Sequence, residues 1–233
     1  SQKIDSESFL RTVNARSGKV VVTGLAGSGK SVFLKHSFRN ILEKGYSFYP
    51  IFYELRGLNR NQPAKGMLLT AICSSIQDCC LEFTKAQFEY GLKSGAFFIL
   101  LDGFDEVSLD IREQVSEEIC ELSRKFYNCP VIISSRPSDE FISWEGFHDA
   151  KLQPFSIDKV VEYIEKLNFD EDRKGMFLED VKSGLYDKNR EFLSNPLLSA
   201  MMLLTYDSFG EIPEKKHIFY EKCFDVLTRE HDA

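Results

Sequence analysis

The sequence predicts an α/β protein: a five-stranded parallel sheet with helices on both faces, followed by a small all-helical domain. Short runs of consecutive apolar residues alternate with segments in which apolar residues recur every three or four positions. Strands buried on both faces of a parallel sheet give continuous apolar runs, and amphipathic helices give the longer period. After about residue 155 the strand-like runs cease and only helical patterns continue, so we expect a domain boundary there.

Each element is short and bounded by turn-forming residues. The strand-like runs cover residues 19–24, 48–55, 96–102 and 130–136, with a weaker fifth at 151–156. Leu34, Phe38 and Ile41 mark a helix after the first strand, and Gly45 is suited to its C-terminus.

Further helices show the same apolar period. Their apolar positions are Leu69, Ile72, Cys73 and Ile76; Ile111, Val115, Ile119, Leu122 and Phe126, ending at Asn128; and, in the helical domain, Val160, Val161, Ile164 and Leu167. Residues 209–217 predict a turn before a last helix with Phe219, Cys223, Phe224 and Leu227.

Composition is typical of a globular chain and limits its partners. The 233 residues are 43% hydrophobic and include 20 Phe, enough for one or two domains of roughly 150 residues. A net charge of -7 argues against general nucleic-acid binding, which uses a basic face.

No run approaches the roughly 20 apolar residues that cross a bilayer, and residues 1–10 lack the basic and apolar regions of a signal peptide, so we expect a cytoplasmic location. The six cysteines lack C-x-x-C spacing and are interpreted as reduced structural thiols.

The stretch GLAGSGKS, residues 24–31, fits the phosphate-loop (P-loop) pattern G-x-x-x-x-G-K-[ST] between the first strand and the first helix. Glycines let such a loop curl until its N–H groups face a phosphate, and the next helix presents its positive N-terminus. Lys30 is expected to reach the β- and γ-phosphates, and Ser31 to offer its hydroxyl to Mg²⁺. The alternative is a glycine-rich turn that matches by accident. The predicted nucleotide-binding residues here are Gly24, Leu25, Ala26, Gly27, Ser28, Gly29, Lys30, Ser31 and Val32.

The stretch FFILLDGFDEV, residues 97–107, ends a buried strand in three carboxylates. Asp102 stands at the carboxyl end of that strand, where open parallel sheets place ligand-binding groups, and we predict that it orients Mg²⁺. Asp105 and Glu106 follow on a short turn, within reach of a γ-phosphate and its attacking water. The alternative for this pair is ordinary loop acids that cap a helix beginning near Ser108 or Asp110.

The stretch IISSRP, residues 132–137, ends another buried strand in Arg136, which Pro137 keeps extended. At the same sheet edge, a guanidinium could bind a γ-phosphate through bidentate contacts. A surface arginine paired with a loop acid is an equally good interpretation.

Together, GLAGSGKS, LLDGFDEV, ISSRP and the later NPLLSAMMLLTY resemble the NACHT-type nucleotide-binding module of the STAND class of signal-transducing P-loop NTPases, over nearly the whole chain. The most specific stretch is DGFDE, because many AAA-type motors place Glu directly after the Walker B Asp, where this chain has Gly103. The resemblance implies ATP or ADP with Mg²⁺ as ligands. It also implies that Asp102 organises Mg²⁺, Asp105 activates water beside Glu106, and Arg136 is the sensor-1 residue.

Asn195 and Pro196 suit the N-cap and first position of a helix that runs to about Tyr206. Capping alone would explain both residues. The resemblance implies in addition that Pro196 packs against the adenine base. It further implies a nucleotide-binding domain at residues 1–155 and a small helical domain at 156–233, whose end would begin a winged-helix domain. Sensor and effector domains would belong to a longer protein.

The predicted function is a slowly hydrolysing ATPase switch whose ATP form self-associates in immune or antiphage signalling. One alternative is a P-loop kinase acting on a small molecule, although the helical tail offers no arginine-rich lid. Another is a scaffold that nucleotide stabilises without being hydrolysed. A DNA-translocating motor fits less well, given the net charge and Gly103.

Overall fold

The computed structural model describes residues 4–15, 18–60, 63–209, 218–221 and 224. Internal contacts divide the chain into two units. The first comprises Ser1–Leu25 and Lys30–Leu152, and the second comprises Ala26–Gly29 and Gln153–Ala233. The turn predicted at residues 209–217 lies outside the described residues except for Phe209, which ends a helix. Most of the helix predicted after that turn and the expected start of a winged-helix domain also lie outside them.

The first unit contains a five-stranded parallel sheet with the strand order β2-β3-β4-β1-β5. The strands are β1 (Lys19–Thr23), β2 (Tyr49–Glu54), β3 (Phe97–Asp102), β4 (Val131–Ser135) and β5 (Phe147–Lys151). Every residue of β1, β3 and β4 is buried. This burial explains why the three central strands could be predicted from continuous apolar runs in the sequence.

Helices cover both faces of the sheet. They are α1 (Ser6–Ala15), α2 (Lys30–Glu43), α3 (Met67–Cys79), α4 (Lys85–Ser94) and α5 (Leu109–Lys125). Alternate residues of β3 enter different cores, because successive side chains of a strand point to opposite faces. Ile99 and Leu101 pack in a cluster with Val115, whereas Phe98 packs in a cluster with Leu34. The predicted α/β class with five parallel strands is confirmed.

Three details differ from the sequence prediction. The fifth strand is Phe147–Lys151 rather than residues 151–156. It is an edge strand with mostly exposed side chains and therefore lacks an apolar run, while Pro154 in the predicted segment has no N–H to donate. Helices α1 and α4 were not predicted. Helix α4 does carry a local signal, since Thr84 and Gln87 form a capping box at its start.

The described part of the second unit consists of helices and turns around its own apolar core. The helices are α6 (Ile157–Glu165), α7 (Glu171–Asp180), α8 (Tyr186–Lys188), α9 (Arg190–Leu193) and α10 (Pro196–Phe209), with a π-helical turn at Val181–Leu185. Val160, Ile164 and Phe177 are fully buried in this core. The predicted all-helical part of the fold is confirmed. Within the described ranges, no helix is both long and apolar enough to cross a membrane.

Candidate functional site

The glycine-rich loop connects β1 to α2, as the motif requires. Gly27 and Gly29 have φ angles of 72° and 89°, a left-handed conformation that favours glycine. Lys30 is the first residue of α2, and its ammonium donates to the carbonyls of Gly24 at 2.9 Å and Leu25 at 3.1 Å. The lysine therefore lies folded over the loop.

Two further features of this loop suit a phosphate. The hydroxyl of Ser28 is buried and has no hydrogen-bond partner among the described residues. Ser31 is exposed in the first turn of α2, where helix N–H groups lack intrahelical partners. Leu25 and Val32 are each 71% exposed, so the structure gives neither apolar side chain a place in the core.

Asp102 is the last residue of β3 and is only 7% exposed. Ser134 of β4 donates its hydroxyl to Asp102 Oδ1 and accepts the N–H of Gly103 at 2.8 Å. One serine thus fixes both the carboxylate and the backbone that follows it. The sequence analysis assigned no role to the serines of ISSRP, because only the adjacency of β3 and β4 brings Ser134 to this acid.

The two residues after Ser134 make comparable contacts. The carbonyl of Ser135 accepts the N–H of Gly24, the first residue of the loop, at 3.2 Å. The backbone N–H of Arg136 donates to Asp105 Oδ1 at 3.0 Å. Three consecutive residues at the end of β4 therefore bond to the buried acid, to the start of the loop and to the turn acid.

Asp105 also forms an ion pair with the side chain of Arg136, whose Nε lies 2.9 Å from Asp105 Oδ2. The alternative that Arg136 pairs with a loop acid is therefore what the structure contains, and that acid is itself a predicted site residue. Asp105 gives both carboxylate oxygens to Arg136 rather than to the first turn of α5. The side chain of Asp105 is 20% exposed and that of Arg136 is 64% exposed, so the guanidinium stays accessible.

Glu106 has a different environment. It is exposed, and no hydrogen bond or ion pair to its carboxylate is found within the described residues. A Cβ built on Gly103 would lie 3.2 Å from the carboxyl carbon of Glu106. The side chain of Glu106 thus folds back beside the position directly after Asp102, where the AAA-type motors carry their glutamate.

The turn that carries Asp105 and Glu106 packs against buried aromatic side chains. Phe104 is 2% exposed and its ring centroid lies 5.7 Å from that of Phe141 and 5.1 Å from that of Trp144. The indole N–H of Trp144 donates to the hydroxyl of Ser116 at 2.8 Å. Burial of Phe104 leaves Asp105 and Glu106 on the outer side of the turn.

A second arginine approaches the acids from the side of β2, and the sequence analysis missed it. Arg56 donates two hydrogen bonds to Glu54, which ends β2 beside Asp102 in the strand register. The pKa of Arg56 is raised, chiefly by the hydrogen bond to Glu54, with smaller contributions from the charges of Glu106 and Asp102. The same hydrogen bond lowers the pKa of Glu54.

The predicted residues of the helical domain lie in the second unit, which includes the loop segment Ala26–Gly29. Pro196 is the first residue of α10. Asn195 Oδ1 accepts the N–H groups of Leu197 at 3.1 Å and Leu198 at 3.3 Å, so it is the N-cap of α10. Its Nδ2 donates to the carbonyl of Ala26 at 2.8 Å. The contact of Pro196 with a base stays a prediction.

A parallel sheet in this strand order, a glycine loop between β1 and α2, and a buried acid at the end of β3 define a P-loop NTPase. A family model described as NACHT domain matches residues 19–171, well over half of the chain. The chain therefore belongs to the NACHT family, and the resemblance drawn from its motifs is confirmed. Membership of this family of P-loop NTPases implies nucleotide binding.

Solved structures give the same fold. A signal transduction ATPase with numerous domains (STAND) from Pyrococcus horikoshii, with a tetratricopeptide repeat sensor, aligns with 96% of this chain at a TM-score of 0.58 and 19% identity. This chain spans 32% of that protein, about one third of its length. At this identity the match shows the fold alone.

Replication initiators are weaker matches. AMPPCP-bound DnaA from Aquifex aeolicus aligns with 97% of this chain and 83% of its own, at 14% identity and a TM-score of 0.47. Domain III of DnaA from Thermotoga maritima aligns with 96% of this chain and 88% of its own, at 12% identity and a TM-score of 0.49. These scores are too low to support a functional argument. No curated protein matches the sequence.

Proposed function

We propose that the protein binds ATP with Mg²⁺ and hydrolyses it slowly, as the nucleotide-dependent switch of a signalling protein. The observation that carries this proposal is the set of bonds made by Ser134, Ser135 and Arg136. They hold the buried acid, the first glycine of the P-loop and the turn acid at the end of a single strand. The bond to Gly24 continues the ladder between β1 and β4, so strand order brings the loop to the sheet edge where β3 ends in Asp102.

The nucleotide would be held by residues 24–32. The ammonium of Lys30 donates hydrogen bonds to two loop carbonyls. On nucleotide binding it would donate to the β- and γ-phosphate oxygens in their place. The unpaired Ser28 hydroxyl and the exposed start of α2 supply further donors for the anion. Burial of a donor without a partner is costly unless a ligand satisfies it.

Ser31 and Asp102 would hold Mg²⁺, since hydroxyl and carboxylate oxygens are the ligands that this ion prefers. When bound, Mg²⁺ neutralises charge on the phosphate oxygens. The hydrogen bond from Ser134 to Asp102 Oδ1 orients the carboxylate and offsets part of its burial.

We assign water activation to Glu106, although the sequence analysis favoured Asp105. A general base needs an oxygen that can turn toward the water, and Arg136 binds both oxygens of Asp105 and so fixes the orientation of that carboxylate. Glu106 has no such partner in the described part of the chain, and it lies beside Gly103. In this assignment Asp105 positions Arg136, whose accessible guanidinium would bind the γ-phosphate.

The signalling role is proposed from family membership. ATP and ADP would favour different states of the full-length protein, and the ATP-bound state would self-associate. The Pyrococcus relative is a multidomain signal transduction ATPase, which supports signalling through further domains. We propose a cytoplasmic setting and an immune or antiphage output on the same basis.

Hydrolysis is tested by measuring phosphate release from ATP by the purified chain with and without Mg²⁺. Lys30→Ala should abolish release and weaken ADP binding, while Lys93→Ala, which removes an exposed lysine from α4, should match the parent. If nucleotide binds tightly but is never hydrolysed, the scaffold alternative replaces this proposal. Unchanged binding by Lys30→Ala would remove the P-loop assignment altogether.

A further inference from the structure

Asn59 spans the turn that carries Glu106, and the proposed mechanism gives it no role. Its side-chain Nδ2 donates to the carbonyl of Glu106 at 2.9 Å, and its Oδ1 accepts the N–H of Ser108 at 2.8 Å. One amide therefore binds both sides of the peptide segment that follows the glutamate. These two residues are separated from Asn59 by 47 and 49 positions along the chain.

The base of Asn59 is rigid. It belongs to the 3₁₀ turn Leu55–Arg60, which directly follows β2. Leu55 and Leu58 of this turn are both 0% exposed and pack in the larger core of the first unit. Two buried leucines anchor this short turn, so the exposed side chain of Asn59 starts from a fixed position. Its amide therefore holds the Glu106 turn in place relative to the core.

Arg112 of α5 holds the same turn from another element. Its Nη2 donates to the carbonyl of Asp105 at 3.0 Å, and its Nε donates to the carbonyl of Val107 at 3.1 Å. With Asn59 on the carbonyl of Glu106, three successive carbonyls each accept a side-chain hydrogen bond, two from Arg112 of α5 and one from Asn59 of the turn after β2. Water alone can satisfy the carbonyls of an exposed turn, so these side-chain donors restrict the turn more than solvation would.

We propose that Asn59 is a positioning residue for ATP hydrolysis, which holds the Glu106 carboxylate at the attacking water. This inference rests on the proposed ATPase function. The reason is geometric: the carbonyl that Asn59 binds belongs to Glu106 itself, so this hydrogen bond fixes the backbone from which the carboxylate projects. No hydrogen bond or ion pair fixes the side chain of Glu106 within the described residues. A displacement of about 1 Å at a reacting group can cost on the order of 100-fold in rate.

The test compares Asn59→Ala with Asn189→Ala, which removes an amide hydrogen bond to Leu185 in the second unit. Asn59→Ala should lower kcat for ATP hydrolysis about 10- to 100-fold, with the KM for ATP and the Kd for ADP unchanged within about twofold. Asn59→Gln, which keeps the amide, should recover part of kcat. Asn189→Ala should leave all three quantities at parent values.

A double mutant separates positioning from simple destabilisation. If Asn59 acts through Glu106, Asn59→Ala should cause little further loss in a Glu106→Gln background, because the two residues work as a unit. Hydrogen exchange of the Ser108 amide should accelerate in Asn59→Ala, since its acceptor is gone. Wild-type kcat in Asn59→Ala, or the same fold-loss with and without the Glu106 carboxylate, overturns the inference; a parent protein that does not hydrolyse ATP overturns the proposed function as well.

Discussion

Arg136 binds both carboxylate oxygens of Asp105, one through its backbone N–H at 3.0 Å and the other through Nε at 2.9 Å. Sequence reasoning assigned these residues two separate jobs, a water activator and a phosphate sensor. Because they are paired, the oxygens of Asp105 that would activate water are the ones that bind Arg136, and the guanidinium that would bind phosphate is bound to Asp105. The arrangement of this pair, of Glu106 and of the backbone around them determines the outcomes expected for Glu106, Arg136 and Gly103 variants.

Glu106→Gln should lower kcat for ATP hydrolysis more than Asp105→Asn does. Removal of a general base costs roughly 100- to 10,000-fold, whereas Asp105→Asn keeps an oxygen for the Arg136 N–H and should cost less than about tenfold. Phosphate release at saturating ATP measures both. The reverse order would return water activation to Asp105.

Arg136→Ala should reduce the preference for ATP over ADP by about tenfold, because only ATP offers a γ-phosphate to draw the guanidinium from Asp105. Titrations with ADP and with a non-hydrolysable ATP analogue give the two Kd values. Arg39→Ala removes an exposed arginine that pairs with Glu43 in α2 and is the matched control. Equal weakening of both nucleotides by Arg136→Ala would show that the residue does not sense the γ-phosphate.

Gly103→Ala should impair hydrolysis without abolishing nucleotide binding. Gly103 has a φ of 77°, and a Cβ there would come within 3.2 Å of the Glu106 carboxyl carbon, which must move. Gly146→Ala is the control, since Gly146 has a similar φ of 82° but nothing within 4 Å of its Cβ position. Both should lose about 1 kcal/mol of stability from the backbone strain, while only Gly103→Ala should lose kcat. Comparable kcat in the two variants would argue against a role for Glu106.

Lys19→Met should change how stability depends on pH. Burial lowers the pKa of Lys19 to about 8, although its ammonium donates to the carbonyls of Tyr127 and Cys129. The unfolded chain keeps this proton up to about pH 10.5, so it binds more protons than the folded chain above pH 8. Lys19 should therefore add up to about 3 kcal/mol to the free energy of unfolding as the pH rises from 8 to 10.5.

Denaturant titrations of parent and Lys19→Met at pH 7.5 and pH 10 test this sign. The stability of the parent relative to the variant should increase at the higher pH. Lys93→Met, at an exposed lysine, should show no such change with pH. A constant difference between parent and Lys19→Met would mean that Lys19 is charged in the folded protein throughout.

Asn195→Ala should destabilise the second unit by about 1 to 2 kcal/mol through loss of the N-cap of α10. For a chain of this size the Tm should fall by about 2 to 4 °C per kcal/mol. Asn195→Asp retains the capping oxygen but cannot donate to the carbonyl of Ala26. Thermal denaturation of both variants therefore separates the cap from the loop contact, and a Tm for Asn195→Ala equal to the parent's would contradict the capping role.

The sequence by itself determined the elements that are local or periodic. Residues 97–101 form a continuous apolar run because β3 is buried on both faces. The loop motif was recognisable because its glycines and Lys30 lie within one short segment of the chain. Edge strand β5 was misplaced because its exposed side chains carry no apolar signal. The family followed from motifs that lie within single segments.

Only the tertiary structure showed that Arg136 engages Asp105, whereas the Glu106 carboxylate has no hydrogen bond or ion pair within the described residues. Asp105 and Glu106 are adjacent and chemically alike, so local sequence cannot separate them. What separates them comes from distant segments: Arg136, 31 residues away in the chain, takes the oxygens of Asp105, while Asn59, 47 residues away, binds the backbone of Glu106. Such contacts depend on strand order, because β3 lies between β2 and β4, and strand order is set by packing of the whole sheet.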